Sequence, residues 1–158
     1  MKKAVLLLTA VLLLLSLSGC QSKTHYRELL HPVDEAKEIK IIELLNEHVY
    51  SDDDYTLLKV VDATDFASVF EDIQAIEYKL PVFTTSPATP YGTSIMIVYE
   101  SGEYEIISCR GPQQYKYSEE YEEIMMYHSY YYCKNEEQYN QMIDKWLDGA
   151  ETTEGQTE

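Results

Sequence analysis

The chain has 158 residues, with 28 acidic against 12 basic side chains and a formal net charge of −16. That length holds one domain with tails rather than two ordinary domains, and a hydrophobic content of 45% belongs to a folded chain, not a disordered one. The acidic balance excludes nucleic acid as a partner, because phosphate binding needs clustered Lys and Arg; three cysteines are too few for a disulfide scaffold or a cysteine-rich zinc site.

At the N-terminus, Lys2 and Lys3 precede an apolar run from Ala4 to Leu17, interrupted only by Thr9 and Ser16. As a helix this run is about 21 Å long, short of the roughly 20 residues that a bilayer core requires, so it reads as the apolar region of a signal peptide. It ends in Leu17-Ser18-Gly19-Cys20. That tetrapeptide resembles the lipobox of bacterial lipoproteins: a leucine-like residue, two small residues and a cysteine. The resemblance implies cleavage between Gly19 and Cys20, lipid attachment at Cys20, and an extracytoplasmic protein anchored to the bacterial cell membrane. Acyl chains contribute about 0.8 kcal/mol per buried CH₂, so two of them hold a protein durably. Loss of residues 1–19 removes Lys2 and Lys3 and no acid, which takes the net charge from −16 to −18. An anionic membrane surface repels such a chain, so the lipid has to hold it. Residues 20–32 are polar enough for a flexible stalk ending at Pro32, and residues 33–148 form a single domain.

Within the domain, Ile39, Ile41, Ile42 and Leu44 spread around a helix but divide cleanly between the two faces of a strand over 38–45. Ser51-Asp52-Asp53-Asp54 follows as a turn, and Tyr55–Val61 as a second strand. Phe66, Val69, Phe70, Ile73 and Ile76 recur at helical spacing over 62–76, with Asp62 or Thr64 as the cap. Residues 77–83 read as a short strand broken by Pro81, and 84–92 as a loop holding Pro87, Pro90 and Gly92. Residues 94–109 make a hairpin around a two-residue turn at Ser101-Gly102. The polar stretch 113–123 reads as a loop or short helix, and 126–133 as another strand. Asn135 caps a second helix whose stripe is Tyr139, Met142, Ile143, Trp146 and Leu147, with Gly149 as its stop. An acidic tail, 149–158, is expected to be disordered.

The resulting order is β-β-α-β-β-β-β-α. This is an α+β domain: a mostly antiparallel sheet of five to six strands with two amphipathic helices. The hairpin YESGEYEII, followed by YYYC and an acid-capped final helix, resembles small lipoproteins of Gram-positive-type bacteria. That resemblance brings no activity with it.

Sites of chemistry are sparse. There is no Gly-x-Ser-x-Gly elbow and no phosphate-cradling glycine loop, and Asp52-Asp53-Asp54 lacks the alternation of a calcium loop. Catalytic residues, metal ligands and cofactors are therefore all expected to be absent. After lipidation of Cys20, Cys109 and Cys133 are the remaining thiols, either bridged or both free and buried. Tyrosine is the unusual component, with 15 residues against three Phe and one Trp. Tyr115, Tyr117, Tyr121, Tyr127, Tyr130 and Tyr132, with His128 among them, form a candidate binding surface, since a tyrosine ring with a polar tip suits a half-wet interface. The acids beside them point to a cationic protein, a cationic peptide or a sugar. The expectation is a non-catalytic binding module tethered through Cys20; the alternatives are an envelope hydrolase with unidentified catalytic residues, or an inhibitor of the immunity type.

Overall fold

The computed structural model describes residues 24–26, 28–79, 90–127 and 131–148. The signal segment, Cys20, Pro81, Pro87, His128, Tyr130, Gly149 and the acidic tail lie outside the described residues. The strands are β1 (Thr24–Tyr26), β2 (Ala36–Leu44), β3 (Tyr55–Val60), β4 (Glu77–Lys79), β5 (Thr93–Tyr99), β6 (Tyr104–Ile107), β7 (Gln113–Ser118), β8 (Glu123–Tyr127) and β9 (Tyr132–Cys133). Helix α1 is Phe66–Ala75 and α2 is Glu136–Leu147. The fold is α+β, with a six-stranded sheet in the order β3-β2-β5-β6-β7-β8 and a small sheet in the order β1-β4-β9, each of whose strand pairs is antiparallel.

Alternation along the strands sets the two faces of the large sheet. Ile39 and Ile41 of β2, with Ile95, Ile97 and Tyr99 of β5, turn to a face covered by Val69, Phe70 and Ile73 of α1 and by Tyr139, Met142, Ile143 and Trp146 of α2. Burial of each such large apolar side chain contributes about 1.5–3 kcal/mol. Ile42, Met96, Ile106 and Tyr115 turn to the other face, where Val49 and Tyr55 join them. Apolar residues on both sides of β2 and β5 thus reflect two cores rather than one.

Asn135 Oδ1 accepts from Gln138 N at 3.3 Å and starts α2, while the Gln138 amide reaches across to Ala75 O of α1 instead of closing a capping box. The Tyr139 hydroxyl lies 2.9 Å from Ile107 O and 3.0 Å from Thr93 O and pins α2 to the sheet. Trp146 Nε1 donates to Asp72 at 2.8 Å, which ties α2 to α1.

Four expectations change. The hairpin turn has three residues, 100–102: Gly102 N donates to Tyr99 O at 3.0 Å, Tyr99 N to Glu103 O at 2.9 Å, and Gly102 takes φ +86°. A positive φ after a tight turn is the geometry that favours glycine. Residues 113–118 are a strand, because Tyr115 and Tyr117 alternate and β6 offers a free edge to pair with. The next strand starts at Glu123 rather than Met126, after a turn whose last residue, Glu122, has φ +55°. Finally, the stretch expected as a stalk is not free up to Pro32. Residues 24–26 pair with β4, Leu29 and Leu30 pack against the covered core, and Leu30 N donates to Glu105 Oε1 at 2.9 Å. Leu29 and Leu30 are two adjacent apolar side chains that water would not otherwise accommodate cheaply.

Candidate functional site

The second face of the large sheet is closed at its middle by the loop 45–54, which joins β2 to β3. Asp54 folds this loop. Its carboxylate accepts from Tyr50 N and Ser51 N, both at 2.9 Å, and from Asn46 Nδ2 at 2.7 Å. Those backbone donors, Tyr50 first and Ser51 next, hold the Asp54 carboxyl below its usual range. Asp52 accepts from the Tyr55 hydroxyl. The Asp52–Asp54 run is therefore a turn of one 3-10 helix, and among the described residues no group of three His, Cys, Asp or Glu is placed to hold a metal ion.

Val49 is the loop's plug. Its N–H donates to the Tyr115 hydroxyl at 2.9 Å, its carbonyl accepts from the Tyr104 hydroxyl at 2.8 Å, and its side chain is buried. Tyr104 and Tyr115 face each other across β6 and β7 and stack, with centroids 4.2 Å apart and planes 12° from parallel. The Tyr115 hydroxyl donates to Gln113 Oε1 at 2.9 Å, and Gln113 Nε2 donates to Glu47 O at 2.8 Å. Burial pushes the Tyr115 hydroxyl up to about 12, against the opposing pull of the Val49 N–H. Burial likewise raises Tyr104, helped by the neighbouring Tyr115, Tyr50 and Asp54. Both stay protonated at neutral pH and serve as fixed hydrogen-bond groups.

Tyr115 is thus a core residue, fully buried, and not part of an exposed binding surface. The other tyrosines of that candidate surface do not share one face. Tyr117 lies opposite Ile124 on the second face; Tyr127 lies opposite Gln114 and so turns to the other face. Tyr121 is exposed in the β7–β8 turn, and Tyr132 belongs to the small sheet. Lys116 Nζ already lies 5.8 Å from the Tyr127 ring centroid, and Lys79 Nζ lies 4.9 Å from that of Tyr132. What remains on the second face and hairpin tip is Tyr117, 53% exposed, and Tyr121, 59% exposed, among the exposed acids Glu119, Glu120, Glu122 and Glu123.

No family model, curated protein or solved structure matches this chain.

A second polar cluster fastens the N-terminal segment. His31 Nε2 lies 2.5 Å from Glu103 Oε2 and Nδ1 lies 3.1 Å from Glu35 Oε2, with the ring edge-on to Tyr99 at 4.7 Å. Partial burial alone would raise the Glu103 carboxyl, but the hydrogen bonds from His31 and from Tyr117 N outweigh it and hold the group below its usual range. Beneath them Glu105, fully buried, accepts from Leu30 N, from the Tyr99 hydroxyl and from Gln114 Nε2. Sequence reasoning missed both carboxylates among 28 acids. The available signal was the alternation of β6, which places Glu105 on the face of Ile107 and Ile97.

Cys109 and Cys133 form a disulfide, with Cα atoms 5.1 Å apart. Arg110 bridges Tyr132 in antiparallel register, and Cys133 N donates to Cys109 O at 2.7 Å, so the two cysteines stand directly opposite. Since Cys133 also pairs with Tyr78 of β4, the bond ties the large sheet to the small one.

Proposed function

We propose that this chain is a lipid-anchored protein of the bacterial envelope whose domain is a non-catalytic binding module for a cationic partner. The anchor rests on the order of Lys2-Lys3, the apolar run and Leu17-Ser18-Gly19-Cys20. The Cys109–Cys133 disulfide supports this reading, because such bonds persist mainly in oxidising compartments outside the cytoplasm. Among the described residues no helix is long and apolar enough to cross a bilayer.

Binding is supported by Tyr117 and Tyr121, exposed aromatic rings set among carboxylates. A ring face attracts a cation by its quadrupole, and the surrounding acids add a longer-range pull that weakens with salt. A Lys- or Arg-rich protein or peptide fits that chemistry. Two experiments test the reading. Cys20→Ala should leave residues 1–19 uncleaved at this site and the product without lipid, as read by mass spectrometry of the N-terminus; a variant still cleaved after Gly19 or still lipidated would remove the anchor. The wild-type chain should capture a lysine-rich peptide and a variant with Tyr117 and Tyr121 both changed to Ser should not; equal capture by the two would remove this surface.

A further inference from the structure

Among the described residues no strand pairs with the outer edge of β3, where the six-stranded sheet ends. Its exposed side chains are mostly apolar, with Thr56 the polar exception: Leu57 and Val60 are each 49% accessible, and Leu58 is 41%. Soluble proteins usually guard such an edge with an outward charge, a proline or a covering segment, because its unpaired N–H and C=O groups invite another strand. The lysine of β3 does not serve as that guard. Lys59 stands opposite Ile41, on the covered side, and its Nζ donates to Trp146 O at 2.7 Å.

Charges at the two ends of the strand select the occupant. Asp52, Asp53 and Asp54 precede β3, and Asp62 and Asp65 follow it. A second copy pairing antiparallel about a two-fold axis would set the first group of one chain against the second group of the other, acid facing acid at both ends. A partner strand with basic ends meets attraction at both. Register adds a limit on length. Ile41 pairs with Lys59 and Ile42 with Leu57, so Leu58 is an extra, bulged residue that bends the edge. A short peptide segment can follow that bend; the long flat edge of another sheet cannot.

We propose that the outer edge of β3 binds a short extended segment of a partner protein, apolar at its centre and basic at both ends, as a seventh strand. Backbone hydrogen bonds give the attachment, and Leu57 and Val60 read alternate apolar side chains of the segment. The proposal rests on the binding-module reading but uses residues distinct from Tyr117 and Tyr121, so the two can fail separately.

The test uses the full chain in detergent and a fluorescent peptide of alternating valine and threonine, flanked by lysines, with fluorescence anisotropy as the readout. A glutamate-flanked peptide of the same centre should bind roughly tenfold more weakly or not at all. Leu57→Lys and Val60→Lys, each at a position 49% accessible and each checked for folding by circular dichroism, should each weaken the lysine-flanked peptide by about tenfold. Hydrogen exchange should slow at the amides of β3 when the peptide is present. The proposal is overturned by any of four results: no binding to the wild-type chain; equal binding of the two peptides; binding unchanged by both lysine variants; or binding lost only in the Tyr117 and Tyr121 variant. The last result would keep the tyrosine surface and discard the edge. A dimer in sedimentation that both lysine variants dissociate would assign the edge to a second copy and overturn the proposal equally.

Discussion

Tyr115→Phe removes one oxygen from the middle of the second core. The ring and its stack on Tyr104 remain, so no cavity of consequence opens. What is lost is the acceptor for Val49 N, at 2.9 Å, and the donor to Gln113 Oε1, also at 2.9 Å. Val49 and Gln113 are both buried, so water does not replace the lost partner. A buried donor left without an acceptor costs about 1–3 kcal/mol, and the weakened Gln113 contact adds to that, so a loss of about 2–3 kcal/mol is expected. In urea, with a slope of about 2 kcal/mol/M, the midpoint should fall by about 1–1.5 M with the slope unchanged. Tyr117→Phe is the control; the ring is exposed, and its removal of a hydroxyl should change stability by less than about 0.5 kcal/mol. Equal midpoints for the two variants would refute the assignment of Tyr115 to the core and the pinning of loop 45–54 through Val49.

Other consequences are open to measurement. Burial raises the hydroxyls of Tyr104, Tyr115 and Tyr139 above the ordinary value of 10.0, so the folded state favours their neutral forms; the stability they contribute is complete below pH 10 and is lost as pH rises beyond it. An alkaline titration followed by tyrosinate absorbance should show late-ionising tyrosines that become normal in denaturant, and a single normal transition would contradict this burial. Replacing Cys109 and Cys133 together by Ala should cost about 3 kcal/mol, the chain-entropy value for a bond spanning their separation of 24, as read by thermal or urea unfolding. An unaltered midpoint would mean that the two sheets hold together without it. His31→Ala should free residues 28–35 from Glu103 and speed hydrogen exchange at Leu30 N, whereas unchanged exchange would show that Glu105 alone holds the segment. Glu103, whose carboxyl lies below its ordinary range, stabilises the fold above that range and ceases to do so as pH falls through its lowered value, so acid should release the same segment.

Much of the architecture was legible in the sequence because alternation and helical spacing are local signals. Ile39 and Ile41 against Ile42 and Leu44 gave both faces of β2, and Phe66 to Ile76 gave α1. The β7–β8 hairpin was not legible. Gln113, Gln114 and Lys116 are poor strand formers on their own, and only the free edge of β6 makes them a strand. The docking of Leu29, Leu30 and His31 was equally hidden, since Glu103 and Glu105 lie more than 70 positions away in sequence. The tyrosine cluster misled for a related reason. Nearness in sequence suggested one surface, but the alternation of β7 and β8 sends Tyr117 and Tyr127 to opposite faces, and loop 45–54 closes over Tyr115.

The most direct test is the intact mass of the protein extracted from membranes, taken with and without reductant before thiol alkylation. The expected species begins at Cys20, carries the added mass of a lipid there, and shows no alkylated thiol until Cys109 and Cys133 are reduced. A chain that retains residues 1–19, or begins at an unmodified Cys20, or alkylates at both Cys109 and Cys133 without reductant after denaturation, would contradict an oxidised, lipid-anchored envelope protein.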